Sequence, residues 1–388
     1  MDIKLADRLG NLPPYLFAEI DRMKAEAANE GKDIISLGIG DPDLPTPEHI
    51  IKELDVASRK VENHQYPSYI GMKSFREACG EWYESRFGVG LDPNSEVLTL
   101  IGSKEGIAHI PLAFVNPGDY VLVPDPAYPV YEVATYFADG KVHFMPLLEG
   151  NGFLPKLEDI PSDIAKASKI IFVNYPNNPT AACADIDFYN RLVEFAKTFD
   201  VIVCSDNAYS EMYFDGVPPL SFLNADGAKE GGIEFHSLSK TYNMTGWRIA
   251  CAVGNPDVLS GLGSIKTNVD SGAFQGIQEA GIRAITSDQA CVAEMRTVYE
   301  KRRDVAYSAL KELNLEVNNP QATFYMWIKC PESYTSTEFT AHILKNTGVV
   351  TTPGVGFGPH GEGYIRMALT VPEDRLLEAF DRIKKLGF

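Results

Sequence analysis

Lys240 stands in the run Ser237-Leu238-Ser239-Lys240-Thr241-Tyr242-Asn243-Met244-Thr245-Gly246-Trp247-Arg248, just past the apolar segment Ile233-Glu234-Phe235-His236. A lysine amine can form a Schiff base with a carbonyl, and serine hydroxyls with a guanidinium can hold a phosphate. Ser237, Ser239 and Arg248 bracket Lys240 with those groups. Taken alone, a lysine is most often a solvated surface residue. The remaining strand ends decide between the two readings.

Asp206 closes a β-rich run in Cys204-Ser205-Asp206-Asn207-Ala208-Tyr209. A carboxylate there can keep a pyridine nitrogen protonated, and Tyr209 can donate to a ring oxygen; an ordinary helix N-cap is the competing reading. Asn174-Tyr175-Pro176-Asn177-Asn178-Pro179-Thr180 reads as a rigid loop that allows a cis bond before Pro179, with Asn178 as an amide donor. Gly102-Ser103-Lys104-Glu105-Gly106 opens a helix, whose N-terminal amides make a phosphate seat. It lacks the spacing of a Walker loop. Tyr128, in Asp125-Pro126-Ala127-Tyr128-Pro129-Val130-Tyr131, can stack on a heteroaromatic ring. Arg366 interrupts an apolar strand-like run, where it needs either a substrate carboxylate or an internal ion pair. One small molecule asks for amine, phosphate seat, acid and stacking ring together: pyridoxal 5'-phosphate.

Seven apolar runs must position these groups. They are Val97–Ile101, Tyr120–Val123, Val142–Met145, Lys169–Val173, Val201–Cys204, Ile233–His236 and Ile249–Val253. Helix-like stretches alternate with them, which predicts βαβ crossovers and an α/β fold on a mostly parallel seven-stranded sheet. Ligands of such sheets sit beyond the carboxyl ends of the strands, the side on which Ser103, Asp125, Asn174, Asp206 and Ser237 fall. Thr46-Pro47-Glu48 reads as an N-cap, a first-turn proline and a first-turn acid, with Ile50, Ile51, Leu54 and Ala57 at helical spacing. Past residue 285, a charged helix (roughly Ala290 to Leu313), strands at Phe324–Ile328 and Gly363–Leu369 and a helix from Glu373 predict a smaller α+β domain built from both chain ends. The expected division is 1–46, 47–285 and 286–388.

The chain has 388 residues, enough for two cores, and its 45% hydrophobic and 23% charged residues are ordinary for a globular protein. A net charge of -18 argues against nucleic acid and against an anionic membrane as partners. No apolar run is long enough to span a bilayer, and Met1 to Asp7 has no signal-peptide core. Cys79, Cys183, Cys204, Cys251, Cys291 and Cys330 lack paired spacing, which fits reduced cytoplasmic thiols rather than a metal site.

Together these residues resemble the fold type I pyridoxal-phosphate enzymes of the aspartate aminotransferase superfamily, class I/II. The likeness runs from Gly40-Asp41-Pro42-Asp43 through Asn178-Pro179-Thr180 and Ser239-Lys240 to Arg366. Leu12-Pro13-Pro14-Tyr15-Leu16-Phe17, Ile101 to His109, Phe235 to Arg248 and Asn268-Val269-Asp270-Ser271-Gly272 are most similar to the LL-diaminopimelate aminotransferases. The resemblance implies transamination with Lys240 as the Schiff-base lysine, Asp206 on the pyridinium, Tyr128 stacked, and Asn178 and Tyr209 on the ring oxygen. It implies Ser103, Lys104, Ser237, Ser239 and Arg248 around the phosphate, with Tyr66 reaching the phosphate of the other subunit of a homodimer. It implies Arg366 and Gly40 on the substrate α-carboxylate, with Tyr15, Lys104 and Asn268 around the rest. Amino-acid and 2-oxo-acid substrates would follow, and no metal. Other transaminases of alanine or aspartate type, carbon-sulfur lyases and ligand-sensing aminotransferase-like proteins share the constellation. Two positions depart from the pattern. Ala181 follows Asn178-Pro179-Thr180 where the family usually has glycine, and Tyr66 to Gly71 holds no acid where relatives often carry glutamate near Ile70.

Overall fold

Apolar runs buried on both faces need layers on both sides, and the central third of the chain supplies them. The structure, a computed structural model, describes residues 3–10, 12, 22, 24–26, 29 and 31–387. After a short strand β1 (Ile35–Ser36) come β2 (Val97–Leu100), β3 (Tyr120–Asp125), β4 (Lys141–Pro146), β5 (Ser168–Asn174), β6 (Ile202–Asp206), β7 (Gly232–Ser237) and β8 (Ala250–Gly254). Strands β2 to β8 form one seven-stranded sheet in the order β2-β8-β7-β6-β5-β3-β4. Neighbours from β4 through β7 are parallel, and β8 runs antiparallel to both β7 and β2. All seven expected strands are present, and the mostly parallel α/β fold is borne out.

Side-chain alternation sorts the sheet into two cores. Along β3, Val121 and Val123 join one cluster with Ile107, Phe172 and Phe235, whereas Leu122 joins the other with Ile171, Val203 and Val253. Helix Ser103–Phe114 follows β2, and helix Ile186–Phe199 precedes β6. The latter is capped by Asp185, whose side chain accepts from the Phe188 N–H, and ended by Asp200 in the left-handed region.

Beyond helices Pro256–Val269 and Gln275–Thr286, the long helix Ala290–Glu312 packs against the terminal helix Glu373–Lys384. Three further strands, β9 (Tyr325–Lys329), β11 (Thr352–Pro353) and β12 (Tyr364–Ala368), pair antiparallel in the order β11-β12-β9. The remaining one, β10 (Val349–Val350), pairs in parallel with β1, so both ends of the chain build this region. A capping box of Thr335 and Glu338 starts the helix Ser336–Thr347, and Gly348 at φ +72° ends it.

One helix start differs from expectation. The first described long helix is Glu48–Ala57 with Pro47 in the cap position, and Thr46 is not its N-cap. The Thr46 hydroxyl instead donates to the Asn243 carbonyl at 2.7 Å, a distant partner that local spacing does not reveal. Ile51 is also 41% exposed, while Ile50 and Ala57 are buried. Among the described residues no helix is long and apolar enough to cross a membrane.

Candidate active site

The carboxyl ends of the central strands open onto a cavity of about 430 Å³. Ser103, Lys104, Tyr128, Asn174, Asn178, Asp206, Tyr209, Ser237, Ser239, Lys240, Thr245 and Arg248 line it from the sheet side, and Ile39, Gly40, Tyr325 and Arg366 close it from the other region. Parallel register sets Asn174 beside Asp206, and the Asn174 Nδ2 donates to the Asp206 carbonyl at 2.7 Å.

Asp206 is 6% exposed, and its Oδ2 accepts from the Tyr131 hydroxyl at 2.7 Å. Its Oδ1 is buried without a hydrogen-bond partner. Burial lifts the carboxyl to about 6, while the Tyr131 hydroxyl and the Ala208 amide, which makes no full hydrogen bond to it, pull the other way. An orphaned carboxylate oxygen facing a cavity is what a protonated pyridine nitrogen completes. The residues present therefore fit pyridoxal 5'-phosphate at its ring nitrogen.

They fit at the phosphate end too. Gly102 adopts φ +96°, and a Cβ there would lie 2.1 Å from the Arg248 Nη2. The guanidinium occupies the space a side chain would fill, directly before the first residue of helix Ser103–Phe114. Arg248 is held there by donating from Nη1 to the Thr245 carbonyl at 2.9 Å. Helix amides, the hydroxyls of Ser103, Ser237 and Ser239, Lys104 and Arg248 together make an anion cradle.

Between these ends the Lys240 Nζ donates to the Gly40 carbonyl at 3.1 Å. Burial pulls its amine down to about 8; Asp41 opposes this, and Arg366 and Arg248 add to it. An amine so shifted is unprotonated in roughly a tenth of molecules at pH 7, far more than an ordinary lysine, and so can serve as a nucleophile and base. Lys104, 5.9 Å from the centre of the Tyr128 ring, is lowered as well, by burial and by Arg248.

Arg366 is 1% exposed, with its guanidinium 4.2 Å from the Tyr325 ring centre and 4.6 Å from that of Phe357. It donates to the Asn178 Oδ1 at 2.7 Å and to the Gly38 carbonyl at 2.8 Å, and its Nε is unpartnered. No acidic side chain among the described residues pairs with it, so the internal ion pair held open by the sequence is not formed. With its carbonyl oxygen engaged by Arg366, Asn178 has its amide NH₂ left to donate. The Tyr209 and Tyr325 hydroxyls lie 3.0 Å apart.

Not every expected residue joins the cavity. Tyr66 is 86% exposed outside it, and the exposed Asn268 donates to the Ser264 carbonyl at 2.8 Å on its own helix. Tyr15 lies outside the described residues. Asp125 also stays out of the cavity: it is buried against His360, with Oδ2 and Nδ1 at 2.6 Å. The bonds Tyr175-Pro176 and Asn178-Pro179 are both cis. Tyr131 and Tyr325 escaped the sequence reading. Tyr131 follows Tyr128 at a helical spacing of three that could have drawn notice. Tyr325 shows itself only in space, where a Cβ on Gly40 would lie 2.1 Å from its hydroxyl.

A family described as aminotransferase class I and II matches residues 32–383. An LL-diaminopimelate aminotransferase of Syntrophobacter fumaroxidans is 58% identical over 383 residues, covering 99% of each chain. One from Aquifex aeolicus is 56% identical, again over 99% of each. The substrate-bound BacF structure from Bacillus subtilis superposes with a TM-score of 0.95 at 37% identity, over 100% of this chain and 98% of that one. The chain belongs to the class I and II aminotransferases, pyridoxal 5'-phosphate enzymes of fold type I.

Proposed function

We propose that the chain transfers the amino group of LL-diaminopimelate to 2-oxoglutarate, serving lysine and diaminopimelate synthesis, in two half-reactions that share one site. When bound, the cofactor supplies the electron sink that lets an amino acid lose its Cα proton. Lys240 takes that proton, because its lowered amine stands at the cavity wall beside the Gly40 carbonyl. Asp206 holds the ring nitrogen protonated, fixed by Tyr131. Asn178 and Tyr209 would hold the ring oxygen, Tyr128 would stack on the ring, and the Ser103, Lys104, Ser237, Ser239 and Arg248 cradle would hold the phosphate. Arg366 receives the substrate α-carboxylate with Gly40. The observation that carries this reading is the unpartnered Asp206 Oδ1 in the same cavity as the depressed Lys240 amine.

The substrate assignment draws on relatives of that name at 58% and 56% identity over nearly the full chain. We further propose a cytoplasmic homodimer in which Tyr66, exposed on its own chain, completes the phosphate site of the partner subunit. Asn268 and Tyr15 would border the substrate, and residues 47–285 would form the cofactor domain. One observation favours a second reading, an alanine or aspartate donor: Tyr66 to Gly71 has no acid to meet a distal ammonium. Purified protein supplied with LL-diaminopimelate and 2-oxoglutarate is expected to form glutamate. Turnover of alanine or aspartate alone would contradict the substrate proposal.

A further inference from the structure

A buried charge cluster adjoins the anion cradle and has no part in the chemistry above. Lys266, 1% exposed on helix Pro256–Val269, sets its Nζ 2.8 Å from both carboxylate oxygens of Asp270 and 3.6 Å from the Glu105 Oε2. Glu105 is the third residue of helix Ser103–Phe114, and its Oε2 accepts from the Ile101 N–H at 3.2 Å. Its carboxylate therefore closes the turn that delivers Ser103 and Lys104 to the cavity. Its Oε1 meets the His109 Nδ1 at 2.9 Å. Asp270 in turn accepts from the Gly272 N–H at 2.7 Å.

This geometry holds a conflict. A carboxylate in a first helical turn normally gains from the helix dipole, but here the same turn must accept a phosphate dianion. Two negative groups at one helix end oppose each other, and solvent screens a buried pair weakly. Lys266 supplies the opposite charge from the protein interior.

We propose that Lys266 is a positioning residue for the phosphate end of the cavity, neutralising Glu105 so that the turn it braces can bind a phosphate. The proposal rests on the cofactor reading above. Its test uses two probes, pyridoxal 5'-phosphate and pyridoxal, titrated into the full-length apo-protein by absorbance. Lys266→Met is expected to weaken binding of the phosphate form about tenfold, a change near 1.4 kcal/mol, while pyridoxal binding holds. Adding Glu105→Gln to that variant is expected to recover part of the loss. Equal weakening for both probes, or no change for either, would overturn the proposal. Should Lys266→Met fail to fold, Glu105→Gln alone decides. It leaves the Lys266–Asp270 pair intact, so tighter binding of the phosphate form supports the proposal, and unchanged or weaker binding overturns it. A wild-type protein that binds neither probe would sink the cofactor reading instead, which separates the two failures.

Discussion

Two buried carboxylates on neighbouring strands have opposite surroundings. Asp206 on β6 and Glu234 on β7 are 6% and 0% exposed. Register pairs Ser205 with Glu234 and Asp206 with Phe235, so alternation sends Glu234 and Asp206 to opposite faces of the sheet. Glu234 receives the hydroxyls of Tyr83, Ser205 and Ser221, the Asn207 amide and the Phe222 N–H, all between 2.7 and 3.0 Å. Asp206 receives the Tyr131 hydroxyl and leaves Oδ1 bare. Burial raises both carboxyls. A satisfied carboxylate knits the sheet to its flanking segments, whereas one left incomplete awaits a ligand.

Substitutions at the two positions should separate these roles. Asp206→Asn is expected to lower kcat/KM by about a thousandfold, the scale of a lost acid-base partner, without lowering the urea midpoint. A large fall in stability would erase the contrast. Glu234→Ala strands its five donors and is expected to cost about 3 kcal/mol in urea unfolding. Cofactor absorbance per folded molecule should persist in that variant.

Titration gives a smaller effect with a definite sign. The Asp206 carboxyl is raised in the native state, so its ionisation disfavours folding. That penalty is absent well below the unfolded value of 3.8, by about pH 3, where the group is protonated in both states, and complete above the folded value of about 6. Apo Asp206→Asn is thus expected to exceed apo wild type in stability by about 3 kcal/mol at pH 8, the gap closing by about pH 3. A gap that widens on acidification would reverse the account.

The smallest effect concerns the cavity side alone. Ala181 sits at φ +60° in the loop that carries Asn178, a conformation that favours glycine. Ala181→Gly is expected to gain about 1 kcal/mol, and a loss would show that the Ala181 methyl packing outweighs the backbone strain.

Local pattern exposed the strands and most of the cavity because each strand end is adjacent in sequence to its functional side chain. Ser237 to Arg248, Asp206 to Tyr209 and Asn174 to Thr180 are such segments. Contacts across the chain were invisible. Tyr325 meets Tyr209 across 116 residues, and Thr46 reaches Asn243 across 197. Composition likewise gave no sign that Glu234 and Asp206, both acids on apolar strands, would differ. Position along the strand, with Asp206 at the end of β6 and Glu234 inside β7, and strand register separate them.

Covalent capture tests the central claim most directly. Holo-protein reduced with borohydride, digested and sequenced by mass spectrometry should carry the cofactor-derived mass on Lys240. Lys104 lines the same cavity with a lowered amine, so it is the internal control. Label on Lys240, abolished in Lys240→Ala, is the predicted result. Label on Lys104, or on no lysine of the cavity, would contradict it.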